Sequence, residues 1–182
     1  MTEDLPSFRC HPDPLSTGSV VPSDAVCLCC NKARGFVYVG PVNADEDLDD
    51  QLCPWCIASG DAHNKFDATF MDEGGVGGYG DWEAVSQHVV DEVCQRTPAF
   101  MAWQQESWFT CCEDAAAFLG HVGRSEQTAF GTEAVEALRR HSEDNGLAWD
   151  DVLPVLSKEG SPTGYLFKCT HCGAHGGYWD SH

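Results

Sequence analysis

The chain has 182 residues and a formal charge of 10 − 29 = −19, from ten Lys and Arg against 29 Asp and Glu. That balance excludes nucleic acid as a partner, since phosphate backbones are gripped by Lys and Arg. It favours a basic protein surface, with plain solubility as the bland account of the same charge.

Six Trp and nine Phe argue against disorder. The length suits one compact domain or two small ones. The opening stretch, MTEDLPSFRC, carries acids and a Pro but no apolar run, so no secretory signal is expected. No segment approaches the roughly 20 apolar residues of a membrane span. A cytoplasmic protein is the expectation, and there eleven cysteines stay reduced, which favours metal binding or catalysis over disulfides.

Residues 1–24 read as extended and loop-like, because Pro6, Pro12, Pro14 and Pro22 break helices. Cys27-Leu-Cys-Cys30 then sits in a turn, and Phe36-Val-Tyr-Val39 has strand character. The acidic run at 45–50 lacks the calcium-loop pattern and reads as a solvated loop. Cys53-Pro-Trp-Cys56 opens a short helix to about Ala62. The Gly-rich residues 67–80 read as a flexible connector without phosphate-loop spacing.

Residues 81–145 carry helical signals. Asp81 is an N-cap for Trp82, Val85, Val89, Val90 and Val93, and Thr97-Pro98 is a second helix start. Further helices are expected at about 112–119, 132–142 and 149–153. Residues 165–168 and 176–179 read as strands flanking Cys169-Thr-His-Cys172-Gly173. The expected architecture is α+β: zinc-ribbon or treble-clef-like Cys-rich β modules packed with a helical segment. Residues 1–66 form an N-terminal zinc module. Residues 81–182 form a helical region closed by a zinc-knuckle hairpin, the whole making one compact unit.

Zinc takes four soft or borderline ligands in a tetrahedron, and two Cys-x-x-Cys turns supply them. Cys27 and Cys30 are separated from Cys53 and Cys56 by 22 residues, slightly more than the usual spacer of about 15–20. These four are assigned to one structural zinc. The rival use of Cys53 and Cys56 is a thiol redox sensor, which the upstream pair disfavours. Cys29 is a spare thiol that points away or substitutes for a neighbour.

Cys169 and Cys172 form a second knuckle whose best partners are the vicinal Cys111 and Cys112, an awkward pair; His171, His175, His121 and Cys94 are fallback ligands. The alternative is a reduced cysteine cluster packed as small hydrophobes. Cys10 with His11 reads as incidental, and Cys94 as core.

A catalytic zinc leaves one position open. An open Cys112, Cys169, Cys172 site with Glu113 or Asp114 as base would make the protein a metalloenzyme. No nucleophile elbow, zincin helix or deaminase motif is present to support that use.

Taken together, Leu5-Pro-Ser-Phe8, His11-Pro-Asp-Pro14, Cys27-Leu-Cys-Cys30, Cys53-Pro-Trp-Cys56-Ile57-Ala58, Arg96-Thr-Pro98, Trp103-Gln-Gln-Glu106, Phe118-Leu-Gly120 and Tyr165-Leu-Phe-Lys-Cys169-Thr-His-Cys172-Gly173 resemble the CbrC family across nearly the whole chain. That family is marked by three Cys-x-x-Cys motifs and has a His-Cys pair where this chain has Cys111 and Cys112. The substitution changes the type of ligand and keeps its capacity. The family name is tied to colicin tolerance, which implies either protection against a toxin or an indirect effect on the cell surface; joined to the acidic charge, it leads to the expectation of a non-enzymatic toxin-tolerance or immunity factor with a basic protein toxin as partner. It supplies no catalytic residues.

Overall fold

The computed structural model describes residues 4–182; the first acid of the chain, Glu3, lies outside the described residues. Among the described residues no helix is long and apolar enough to cross a membrane.

The N-terminal half is built on a hairpin. β1 (Val20–Val26) pairs antiparallel with β2 (Ala33–Tyr38), setting Val20 against Tyr38 and Pro22 against Phe36. Pro22 is tolerated because a two-stranded ribbon has two edges and can spare a donor. The prolines of 1–24 had masked this strand in the sequence. α1 (Pro54–Ser59) and α2 (Asp61–Phe66) follow, broken by left-handed Gly60.

Residues 67–80 are not a flexible connector. Their glycines let the chain pack closely: a Cβ at Gly75 would meet the Glu106 carbonyl at 2.4 Å. Gly75, Gly77 and Gly78 are buried, and Val76 bridges to Trp108.

α3 (Gln87–Arg96), capped at Ser86, begins five residues later than the Asp81 cap predicts. Trp82 and Val85 precede it and pack on the core from irregular backbone. Thr97-Pro98 ends that helix and starts none, with the Thr97 hydroxyl donating to the Glu92 carbonyl at 2.9 Å.

The expected helix at 112–119 is replaced by strands: β3 (Thr110–Cys111), β4 (Asp114–Ala115) and β5 (Ala117–Val122). Ala115, Ala116 and Ala117 are all buried. A short run that is apolar on both sides has the same pattern in a buried strand as in a buried helix, and alanine tilts the choice towards helix.

After α4 (Thr132–Asp144) and the short α5 (Trp149–Val152), β6 (Thr163–Lys168) pairs with both β5 and β7 (His175–Asp180) in an antiparallel sheet. Alternation along β6 assigns its two faces. Tyr165 and Phe167 face the larger core, and Leu166 joins Val122, Leu138, Val152 and Leu156 in a smaller core beneath α4. The fold is α+β, as expected, with helix and small antiparallel sheets interleaved. An aromatic stack of Phe100, Phe118 and Phe167 anchors the larger core, with Phe100 and Phe118 parallel at 4.0 Å.

Candidate metal centres

Two turns of the same design hold half of each cysteine cluster. At the end of β1 the Cys27 N–H donates to the Lys32 carbonyl at 3.0 Å, and the Asn31 N–H donates to the Cys27 carbonyl at 2.8 Å. At the end of β6 the Cys169 N–H donates to Ala174 at 2.8 Å, and the Gly173 N–H donates to Cys169 at 3.0 Å. The residue after the second cysteine is left-handed in both, Asn31 and Gly173. These types are the ones that adopt that conformation most readily.

The first knuckle meets the start of α1. Tyr38 N–H to the Leu52 carbonyl and Leu28 N–H to the Gln51 carbonyl, at 2.9 and 3.0 Å, lay the segment before Cys53 along the hairpin. Pro54 supplies the fixed φ of a helix start. The Sγ atoms of Cys27 and Cys56 lie 3.9 Å apart, those of Cys30 and Cys53 3.8 Å, and those of Cys53 and Cys56 3.6 Å. A zinc–sulfur bond of about 2.3 Å implies a tetrahedron edge of about 3.8 Å. The donor set therefore fits a tetrahedral ion.

Sulfurs this close cannot all carry charge without a cation between them. Cys27 takes it and is pushed down to about 4, because the Cys53 thiol and the backbone N–H groups of Cys30, Cys53 and Cys29 donate to it. Cys53 is pushed up by donating to that thiolate, and Cys56 by burial. Cys29 lies outside the set of four, half-buried, its carbonyl accepting from Lys65 at 3.1 Å.

The second cluster solves the problem of two adjacent ligands with a tight turn. Cys111 pairs with Asp114 across β3 and β4, and Cys112 and Glu113 between them are both left-handed, at φ 58° and 59°. Consecutive left-handed residues mark the type I′ turn, which favours Asn and Gly. Here the strained residues are a cysteine and a glutamate, and such strain gathers at functional positions. Glu83 braces the turn by accepting from the Glu113 N–H at 3.1 Å.

The turn sets Cys111 Sγ 3.8 Å from Cys112 Sγ and 3.6 Å from Cys172 Sγ. With Cys169, all four sulfurs lie within 4.8 Å of one another, again the scale of a four-thiolate shell. Burial opposes ionisation of Cys169, but the backbone N–H groups of Cys172 and His171 and the neighbouring thiols outweigh it and bring Cys169 down to about 7. Cys111 is pushed up by burial and Cys112 by its bond with Cys172.

The fallback ligands take other roles. His171 sits in the knuckle and pairs with Asp114 at 2.7 Å, while Arg9 joins Asp114 to Glu92 on α3. Burial works against the Asp114 charge, yet His171 and Arg9 hold this carboxyl below the usual range. His121 Nε2 donates to the Met101 carbonyl, and Cys94 is buried in α3. His11 is a core residue between the Pro98 carbonyl and Thr17. Asp114, read from the sequence as a candidate base, instead pairs with His171 and Arg9 to brace the second cluster, and Arg9 carried no motif that sequence could flag.

The two clusters differ in exposure. Cys27, Cys53 and Cys56 are buried and Cys30 half-buried; in the second, Cys112 and Cys172 are exposed. Both groups of four could hold a metal ion.

No solved structure matches this chain. The model of an uncharacterised protein family, UPF0167, matches residues 5–181. UPF0167 proteins of Mycobacterium bovis and Mycobacterium tuberculosis are each 44% identical to it over 186 residues, covering 98% of this chain and 94% of theirs. A UPF0167 protein of Pseudomonas aeruginosa is 41% identical over 174 residues, covering 95% of both. With its cysteine turns and the segments between them all inside that matched length, the chain belongs to the UPF0167 family.

Proposed function

We propose that this is a non-enzymatic, zinc-stabilised acidic protein of the cytoplasm that binds a basic protein toxin, as a tolerance or immunity factor does. Each zinc would be held by thiolates of Cys27, Cys30, Cys53 and Cys56, or of Cys111, Cys112, Cys169 and Cys172. The observation that supports this is that each group gathers four thiols, enough to close a tetrahedral shell. Cys111 Sγ, 3.6 Å from Cys172 Sγ, would fill the position that a catalytic zinc keeps for water, which favours a closed site over a three-ligand one of Cys112, Cys169 and Cys172. When bound, zinc supplies cross-linking and charge neutralisation; the chain supplies the knuckles, the N–H donors and the acidic face.

The charge of −19 supports the partner class, because nuclease toxins grip phosphate with basic clefts and an acidic inhibitor is steered into such a cleft. The resemblance to a family named for colicin tolerance points the same way. The test is stopped-flow association of the purified protein with a basic colicin-type nuclease domain at two salt concentrations. An on-rate at least tenfold faster at low salt is expected for steered binding. No association, or a rate indifferent to salt, would refute the proposal.

A further inference from the structure

Between α4, β7 and the irregular segment around Trp82 and Phe109 lies a cleft of about 430 Å³. Three of its walls are aromatic. Trp82 meets Phe109 edge to face at 5.4 Å and Tyr178 at 6.2 Å. Its base at Gly176 is bare backbone, and a Cβ there would strike the Phe109 ring at 2.3 Å. Phe109 therefore lies directly on β7, held in place.

Alongside the donors of Arg140, His175 and the Ser107 and Tyr178 hydroxyls, this cleft carries a set of acceptors. Asp81 and Asp144 carry carboxylates. His141 lies with Nε2 3.2 Å from the Trp179 carbonyl; a carbonyl only accepts, so Nε2 holds the proton and Nδ1 offers a lone pair. Burial holds this imidazole below its usual pKa, hence neutral. Asn145 gives its amide N–H to the His141 carbonyl at 2.8 Å, leaving its side-chain oxygen to accept. The cation at the rim, Arg140, is anchored through Nε to the Glu136 carbonyl and also borders the next cleft along α4.

Aromatic faces with surrounding acceptors select a planar cation with many donors. A guanidinium has five N–H groups, stacks on rings and is more weakly hydrated than an ammonium. We propose that this cleft binds a guanidinium group, presented as an arginine side chain of the basic partner. The source of the arginine rests on the function proposed above; the chemistry of the cleft does not.

The test titrates isotope-labelled, zinc-loaded full-length protein with the amides of Nα-acetyl-arginine, -lysine and -citrulline, followed by amide NMR. Arginine amide should shift resonances around Trp82, His141 and Tyr178 and bind about fivefold or more tighter than citrulline amide, with lysine amide between them. Asp81→Asn and Asp144→Asn, both at the surface, should each weaken arginine amide severalfold while leaving thermal melting unchanged. Equal binding of citrulline, shifts mapping elsewhere, or variants that bind arginine as wild type does would each overturn the inference. A nuclease domain that binds wild type and the D81N/D144N double variant alike would sink the cleft and leave the proposed function standing. Arginine amide bound in the cleft with no nuclease domain bound would do the reverse.

Discussion

Single side chains here divide into those that could hold metal and those that hold the frame. Cys27→Ser should abolish one equivalent of bound metal and unfold the β1–β2 module, since that thiol is buried and takes the Cys53 N–H. Cys112→Ser should also lose one equivalent, yet keep the rest of the fold, because its side chain is exposed. Native mass spectrometry with circular dichroism would separate the two.

His11 is fully buried and pushed down to about 4, chiefly by desolvation. Its unfolded form ionises near 6.5, so its contribution is present above that pH and is lost as pH falls towards 4, roughly 3 kcal/mol in all. Urea titrations from pH 7 to 4.5 should show a shallower pH slope for His11→Gln than for wild type. Thiolate protonation is common to both proteins and cancels in the comparison.

Among the elements, the β3–β4 turn is the one whose backbone opposes its sequence. Glu113 at φ 59° pays the left-handed penalty that glycine would not. Its backbone N–H, the group that Glu83 holds, survives substitution. Glu113→Gly should therefore raise stability by roughly 0.5–1 kcal/mol, against the usual cost of glycine, and a thermal melt would register it. A drop in melting temperature would show that the carboxylate, not the conformation, matters at this position.

The β5–β7 sheet shows why tertiary packing overrides propensity. β5 carries an alanine run but borders β6, and its register slips between Phe118 and Gly120. That bulge places Phe118 in the aromatic core, while Val122 three pairs further on faces the core under α4.

For the whole molecule, the difference in exposure between the clusters predicts the order of metal loss. Chelator should reach the thiolates around Cys112 and Cys172 before those around Cys27 and Cys53. Release of the bound metal followed with a colorimetric indicator should then run in two phases, with Cys112→Ser lacking the fast one. A single phase in wild type would mean that the clusters open together. The same ordering applies to oxidants: the redox-sensor use once open for Cys53 and Cys56 is disfavoured by their burial, at 2% and 3% exposure.

The Cys-x-x-Cys spacings pointed to six of the thiols that the structure gathers into two groups of four, and the strand–knuckle–strand pattern at 165–179 was legible, because a Cys-x-x-Cys turn is a local object. So were α4 and the start of α1, whose periodicity and proline are local too. What the chain could not announce was which distant segments meet. The pairing of β5 with β6 is decided by long-range aromatic packing, and the vicinal Cys111 and Cys112 become compatible with one ion only through the turn they form. Likewise the bracing of that turn depends on Glu83 and Arg9, which carry no motif, and on Asp114, which the sequence offered only as a base. Local backbone preference is written residue by residue, whereas burial and convergence are properties of the folded whole, and here they set both the cluster geometry and the cleft beside it.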